Sequence, residues 1–328
     1  MKITAIVPLY NGGPFIASAI DAILAQKTPP LEVIIVDDGS TDHGPSIVSG
    51  YGSAVKFIRH ARNQGVQAAR NSGIAEARGD WIAFCDQDDI WRPDYLSAAN
   101  DLHRVAPEVN FIFANFKMSR EDILDKHAKF DQAPPGWWDA AQRRVLLEGW
   151  VLDGEIAGLT FRWHPIFPSA NLVARDLIAE VGGFDLAMRG LRPEDGEFTL
   201  RCLYRAKAAA LPEPLVTIRR HDANFSRDQL RSLIDEVAAL QFVRAHHTEA
   251  QPFHAIIDDE IDRRRMMAAE GAFAQKDHAL VRQLLADVPP GHRPLKFRLK
   301  AFCAALPDPV GLRLNAVLQR LSAARNGA

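Results

Sequence analysis

Trp81-Ile82-Ala83-Phe84-Cys85-Asp86-Gln87-Asp88-Asp89 is an apolar run, the length of one buried strand, that ends in three carboxylates within four positions. In an extended chain, residues two apart point the same way, so Asp86 and Asp88 converge at the strand's end. Two anionic carboxylates held close are costly unless a cation sits between them. Hard oxygen ligands of this kind suit Mg²⁺ or Mn²⁺. Open α/β sheets bind ligands beyond the carboxyl ends of their strands, so the stretch reads as a metal–phosphate site. An isolated D-x-D is more often a solvated acidic loop, here one before the helix that Pro93 begins. The surrounding sequence decides between the two.

Outward from this stretch, strands alternate with helices. Ile3 to Leu9 is a first strand, stopped by Tyr10-Asn11-Gly12-Gly13-Pro14, and the helix after it carries Ile16, Ala19, Ile20, Ile23 and Leu24 at helical spacing. Leu31 to Val36 is a second, β-branched strand that ends in Asp37-Asp38-Gly39-Ser40-Thr41-Asp42. A short helix, a strand at Val55 to Ile58 and a helix over Val66 to Ala77 precede the opening stretch. A helix over Tyr95 to Val105 and a strand at Asn110 to Asn115 follow it. Such alternation implies right-handed βαβ crossovers and an α/β fold with a Rossmann-like, mainly parallel sheet flanked by helices. Both acidic clusters then fall on the same sheet edge, where a nucleotide is the natural ligand. The first turn lacks G-x-G-x-x-G, and there is no Walker A sequence, which disfavours dinucleotide and P-loop readings.

A length of 328 residues accommodates one large or two modest domains, and a net charge of −2 gives no basic field for nucleic acid. Cys85, Cys202 and Cys303 have neither zinc nor disulfide spacing, which fits a reducing, cytoplasmic compartment. No stretch of about 18 apolar residues predicts a membrane span, and no signal peptide is expected.

Taken in order, several short motifs resemble the family 2 glycosyltransferases, inverting enzymes of the GT-A fold. They are Ile6-Val7-Pro8-Leu9-Tyr10-Asn11, Val36-Asp37-Asp38-Gly39-Ser40-Thr41-Asp42, Asn63-Gln64-Gly65 with Ala69-Arg70-Asn71-Ser72-Gly73, and Asp86-Gln87-Asp88-Asp89. Gly182-Gly183-Phe184-Asp185, Glu194-Asp195 and His221-Asp222-Ala223-Asn224-Phe225-Ser226 complete the series. Each is weak alone; their shared order over residues 1 to about 226 is specific. Gly13-Pro14 and Gly196 depart from the family's habits and affect only the shape of two turns.

The resemblance implies a GT-A domain over 1–226, with a nucleotide-sugar half to about 116 and an acceptor half from 117, followed by a helical C-terminal region over 227–328. It implies metal-dependent transfer of a sugar from a nucleotide-sugar donor, expected to be a UDP-sugar, to a hydroxyl acceptor on a glycan or lipid-linked glycan. Pro8 and Tyr10 would line the base pocket, with Asp38 accepting from the base. Asp37 is open between capping and ligand contact. Arg70 is open between base or phosphate contact and a solvated helix face. Asp88 aligns with the family's metal aspartate, Asp86 would hold ribose or a metal-bound water, and Asp89 is expected to cap the helix near Pro93. His221 would ligate the same Mn²⁺ or Mg²⁺ or bind the diphosphate. Asp195 is the candidate general base, with Glu194 orienting it or taking its place. The Glu194-Asp195 pair weighs against a non-catalytic nucleotide-sugar-binding or scaffold protein. The lack of a Gly-rich N-terminal loop weighs against a sugar nucleotidyltransferase.

Between these motifs, Trp137, Trp138, Trp150 and Trp163 either stack on a sugar or lipid-linked acceptor or pack an insertion against the sheet. In the C-terminal region Leu230, Leu233, Ile234, Val237 and Leu240 predict a helix. Beyond Pro289-Pro290-Gly291, Arg293, Lys296, Arg298, Lys300, Arg313, Arg320 and Arg325 stand against Asp308 alone, with Leu295, Phe297, Leu299, Phe302 and Leu306 interleaved among the first of them. Such a segment either covers the catalytic domain or makes peripheral contact with the inner face of a membrane.

Overall fold

The structure is a computed structural model and describes residues 1–121, 123–191, 194–221 and 228–306. The expectations placed on Arg192, Pro193, residues 222–226, Asp308, Arg313, Arg320 and Arg325 lie outside the described residues.

The strands are β1 (Ile3–Leu9), β2 (Glu32–Asp37), β3 (Lys56–Arg59), β4 (Trp81–Phe84), β5 (Ile90–Trp91), β6 (Phe111–Arg120), β7 (Ile123–Leu124), β8 (Arg143–Val145), β9 (Trp150–Leu152), β10 (Asn171–Ala174) and β11 (Ala208–Arg220). They form one mixed sheet in the order β3-β2-β1-β4-β10-β6-β11-β9-β8, with β5 beside β11 and β7 beside β6. The first four strands are parallel. β10 is antiparallel to both its neighbours, and β11 returns parallel to β6. The parallel half is therefore the predicted one, and β10 joins it to a half that local periodicity does not organise.

All seven residues of β1 are buried, as expected of a central strand covered on both faces. Helices α1 (Ile16–Leu24), α2 (Gly44–Gly50), α3 (Val66–Glu76) and α4 (Tyr95–Val105) supply the covers. α1 buries Ile16, Ala19, Ile20 and Ile23 and leaves Leu24 exposed, so four of the five positions chosen by spacing face the core. α3 approaches β1 closely because Gly73 has no side chain: a Cβ there would lie 2.5 Å from Ile6 Cγ2. This approach sets the height of Arg70, one turn earlier on α3, above the strand ends.

Four short or amphipathic helices follow: α5 (Trp137–Ala140), α6 (Ala157–Thr160), α7 (Arg175–Val181) and α8 (Glu194–Leu203). The tryptophans of the insertion pack on one another. Trp138 meets Trp137, Trp150 and Trp163 edge to face, with ring centroids 4.6, 5.0 and 6.0 Å apart, and Phe130 lies 4.7 Å from Trp138.

Contacts divide the chain into two compact units, residues 1–190 with 194–224, and 191–193 with 225–328. The second unit contains α9 (Gln229–His246), α10 (His254–Ala274), α11 (His278–Ala286) and α12 (Leu295–Ala305). Its core is built from Ala269, Ala272, Phe273, Val281, Leu285, Val288, Phe297 and Cys303. On α12, Phe297 points inward while Leu295, Leu299 and Phe302 are exposed, and Lys296 and Lys300 both pair with Glu270. Among the described residues, no helix is long and apolar enough to cross a membrane.

Candidate active site

The turn after β4 is held from below. Ser169, fully buried, accepts the Asp86 N–H at 2.8 Å and donates to Asp89 Oδ2 at 2.5 Å. The other Asp89 oxygen accepts the Arg219 backbone N–H at 3.0 Å. Asp89 therefore does not cap the helix near Pro93. α4 begins after Asp94, and Asp89 is a buried tie between the β4 turn, the Pro168–Ala170 turn and β11. The carboxylate's lone pairs go to a hydroxyl and a peptide N–H from distant segments, which spacing along the chain cannot foretell. Burial, with Asp88 and Asp86 beside it, pushes the Asp89 carboxyl well above its usual range.

With Asp89 turned inward, Asp86 and Asp88 face the strand ends. β11 brings His221 to Asp88, with Nε2 2.9 Å from Oδ2. The imidazole is also stacked on Phe15, centroids 4.2 Å apart. Arg219 braces this corner by donating from Nε to the Asp88 carbonyl and from Nη2 to Ser18 Oγ at 2.8 Å. Burial first, then the neighbouring Asp86, raises the Asp88 carboxyl, while His221 opposes the shift. An anionic oxygen and an imidazole nitrogen converging beside a second carboxylate form a donor set that fits Mg²⁺ or Mn²⁺. Among the described residues no third His, Cys, Asp or Glu joins them, so further ligands would come from water and a substrate phosphate, the usual arrangement for Mg²⁺.

Arg70 connects this corner to the Glu194-Asp195 pair. It is only 1% exposed, so it is not on a solvated helix face. Nη2 donates to Asp86 Oδ1 at 2.7 Å, Nη1 lies 3.4 Å from Glu194 Oε1, and the guanidinium rides over the Phe184 ring at 5.1 Å. Glu194 and Asp195 occupy the first turn of α8, where the helix dipole favours negative charge. Burial, then Glu194, still raises the Asp195 carboxyl to about 7, against the pull of Arg70. Burial raises Glu194 as well. A carboxylate whose ordinary value is 3.8 is thereby poised near neutrality, where a general base is most effective.

The pair reaches this place through a clasp that the sequence reading missed. Asn71, next to Arg70, donates from Nδ2 to the Phe184 carbonyl and accepts the Phe184 N–H on Oδ1, both at 2.8 Å. Gly183 must be glycine for this approach, since a Cβ there would lie 2.4 Å from Asn71 Oδ1. Arg201 donates to the carbonyls of Val181, Gly182 and Gly183 and is paired with the buried Glu197. The Gly182-Gly183-Phe184-Asp185 turn is thus pinned between α3 and α8, and α8 starts against Arg70.

On the opposite side, Gln87 clasps Tyr10: the Tyr10 N–H donates to Oε1 at 2.8 Å, and Nε2 donates to the Tyr10 carbonyl at 3.2 Å. Tyr10 is 47% exposed, while Pro8 is buried within β1. A Cβ at Gly12 would lie 2.3 Å from Gln87, so the glycine makes room for the clasp. The middle residue of the D-x-D is a structural tie, a role that the motif's spacing does not advertise.

Asp37 and Asp38 are both engaged. Asp37 accepts the Ser40 N–H, as a turn-capping aspartate does, and pairs with Arg59. Asp38, 2% exposed, accepts from His60 Nδ1 at 2.7 Å and from the peptide N–H groups of Gln64 and Gly65. Here the carboxylate organises the loop over residues 60–65. That loop, with Arg62, Asn63, Gln64, Ala68, Leu186 and Arg189, lines a cavity of about 480 Å³.

Residues 4–164 match the model of Glycosyl transferase family 2. An uncharacterized glycosyltransferase of Haemophilus influenzae is 25% identical over 251 residues, covering 75% of this chain and 77% of that one. Putative glycosyltransferase EpsH of Bacillus subtilis is 27% identical over 241 residues, 73% of this chain and 66% of its own length. An uncharacterized glycosyltransferase of Nostoc is 36% identical over 138 residues, covering 40% of this chain and 41% of that one. Among solved structures, residues 1–349 of S. aureus TarS in complex with UDP-GlcNAc superpose with a TM-score of 0.61 at 18% identity, covering 89% of this chain and 83% of that one. The mannosyltransferase PcManGT of Pyrobaculum calidifontis, in complex with GDP-Man and Mn²⁺, gives a TM-score of 0.55 at 18% identity, covering 96% and 86%.

Proposed function

We propose that this chain, a family 2 glycosyltransferase with a GT-A fold, transfers a sugar from a UDP-sugar to a hydroxyl of a glycan or lipid-linked glycan with inversion, the catalytic domain spanning residues 1–226. The observation that carries the reading is the buried Arg70, which joins Asp86 to Glu194 of the Glu194-Asp195 pair, with His221 meeting Asp88 two residues beyond Asp86. A pure binding protein has no need of a carboxylate poised near neutrality beside such a site.

Asp88 and His221 would hold Mn²⁺ or Mg²⁺. The ion, when bound, neutralises charge on the leaving diphosphate. Pro8 and Tyr10 would line the base pocket, with Tyr10 set by the Gln87 clasp, and Asp38 would shape the loop beyond it. Asp86, oriented by Arg70 and Ser169, would hold ribose. Asp195 accepts the proton of the acceptor hydroxyl as that oxygen attacks the anomeric carbon from the face opposite the diphosphate. Arg70 holds Glu194 close, and Glu194 in turn keeps Asp195 basic by like-charge repulsion. UDP-GlcNAc and GDP-Man, the donors held by TarS and PcManGT, mark the nucleotide classes to test first, and Mn²⁺ the first metal.

The test is a melting-temperature panel of UDP-, GDP-, TDP- and CDP-sugars with Mn²⁺ or EDTA, followed by an assay of nucleoside diphosphate release. A metal-dependent rise for UDP-sugars, with release that is lost in Asp195→Asn, supports the reading. Loss of donor binding together with turnover in Asp195→Asn removes the base assignment. A rise for another nucleotide class replaces UDP.

A further inference from the structure

Successive side chains on a strand point to opposite faces, and the end of β11 uses both. Arg219 and His221 face Ser18, Phe15 and Asp88. Arg220 faces the other way. The register pairs Val216 with Phe116 and Ile218 with Met118, so Arg220 continues the face that carries Phe116 and Met118. There it lines a cavity of about 230 Å³ with Lys129, His127 and Asp125. This cavity lies across the strand from the Asp88–His221 corner.

In the lining of this cavity two cations, Lys129 and Arg220, stand against one carboxylate, Asp125. Lys129 is half-buried, its ammonium lying over the Trp163 ring at 5.2 Å, and it has no hydrogen-bond or ion-pair partner for that ammonium among the described residues. Arg220 likewise has no side-chain partner among them. The nearby Asp131 accepts the Ala128 N–H, and Asp125 and Arg220 are both exposed at the mouth of the cavity, with Lys129 half-buried behind them. Burial and Arg220 together lower the Lys129 ammonium's hold on its proton, as expected for a cation facing a like charge without an anion. An ammonium and a planar fork of N–H donors walling one small cavity present donors that suit an oxyanion.

We propose that this cavity receives a phosphate group borne by the acceptor, gripped by Lys129 and Arg220. The proposal rests on the glycosyltransferase reading for the word acceptor; the oxyanion site itself rests on the cavity. Arg220 lies on the face of β11 opposite Arg219 and His221, so the proposed phosphate is set apart from the metal corner, and the titration with UDP decides whether it belongs to the donor.

The test uses the full chain and measures melting temperature against inorganic phosphate and glycerol 1-phosphate, with chloride at matched ionic strength as the reference. Each titration is run with and without saturating UDP and Mn²⁺. The expected result is a saturable rise for both phosphates that persists with UDP. It falls at least tenfold in apparent affinity in Lys129→Met and Arg220→Met and is retained in Arg220→Lys, which shows that charge rather than folding is responsible. A rise abolished by UDP would assign the anions to the donor site and overturn the proposal. A rise with inorganic phosphate alone would make it a free-phosphate site and overturn the acceptor assignment. Equal rises in the wild type and the Met variants, or none beyond chloride, would refute the cavity's role. UDP-sugar binding and nucleotide release in the same preparations report on the glycosyltransferase reading separately.

Discussion

Replacing Asp195 by asparagine should stabilise the protein at alkaline pH while abolishing transfer. Burial and Glu194 raise the Asp195 carboxyl from its ordinary 3.8 to about 7. The folded state therefore binds this proton more tightly than the unfolded chain. Below pH 3.8 both states are protonated, and Asp195 makes no difference. Between 3.8 and about 7 the unfolded chain ionises first, and stability falls by about 1.36 kcal/mol for each pH unit. Above 7 the full loss, about 4 kcal/mol, is reached; this is an upper figure because the side chain is only partly buried. Asparagine keeps the shape and cannot ionise, so it escapes this loss and also relieves Glu194 of a like charge. Urea unfolding of Asp195→Asn and wild type should give matching midpoints near pH 3, where both states of the wild type are protonated, and a clearly higher midpoint for the variant at pH 8.5. Nucleoside diphosphate release by the wild type should rise with pH and level off above about 7, since the base must be ionised to act. A variant that is less stable than the wild type at pH 8.5 would show that Asp195 is held ionised by a favourable partner. The argument for a base poised near neutrality would then fail, whatever the effect on rate.

Arg70→Met leaves Asp86 and Glu194 without their shared cation and should cost about 3–5 kcal/mol, read from urea unfolding at pH 7.5, with transfer lost. Gly73→Ala drives a methyl to 2.5 Å from Ile6 and should cost about 1–3 kcal/mol as α3 is pushed off β1; an unchanged melting temperature would mean that α3 is not seated as described. Gln87→Ala should leave stability within about 1 kcal/mol while raising the KM for the donor, because the clasp positions Tyr10 rather than the core; an unchanged KM would detach Tyr10 from donor binding. Asn71→Ala should lower kcat more than it raises the donor KM, since it loosens the turn that places Glu194 and Asp195.

The sequence by itself determined the alternation of strands and helices through α4 and the placement of both acidic clusters at strand ends. Those features rest on local periodicity: the β-branched run of β2, the apolar stripe of α1 and the sharp change at Cys85-Asp86 each show within a few residues. It also marked Asp88, His221, Glu194 and Asp195 as candidates, on motif order. What it could not show is which groups meet. Ser169 ties Asp86 to Asp89, Asn71 holds Phe184, Arg70 bridges Asp86 and Glu194, and Lys129 faces Arg220 across a cavity. Each of these joins positions 16 to 124 residues apart, through hydrogen bonds or charges that leave no periodic trace. Asp89 illustrates the difference: beside Pro93 it looks like a helix cap, and only the arrival of Ser169 and β11 turns it inward. The antiparallel β10 is the same case, a strand whose place between β4 and β6 is decided by partners far along the chain. Local propensity chose the elements, and long-range burial of polar groups that had to find partners assembled the site.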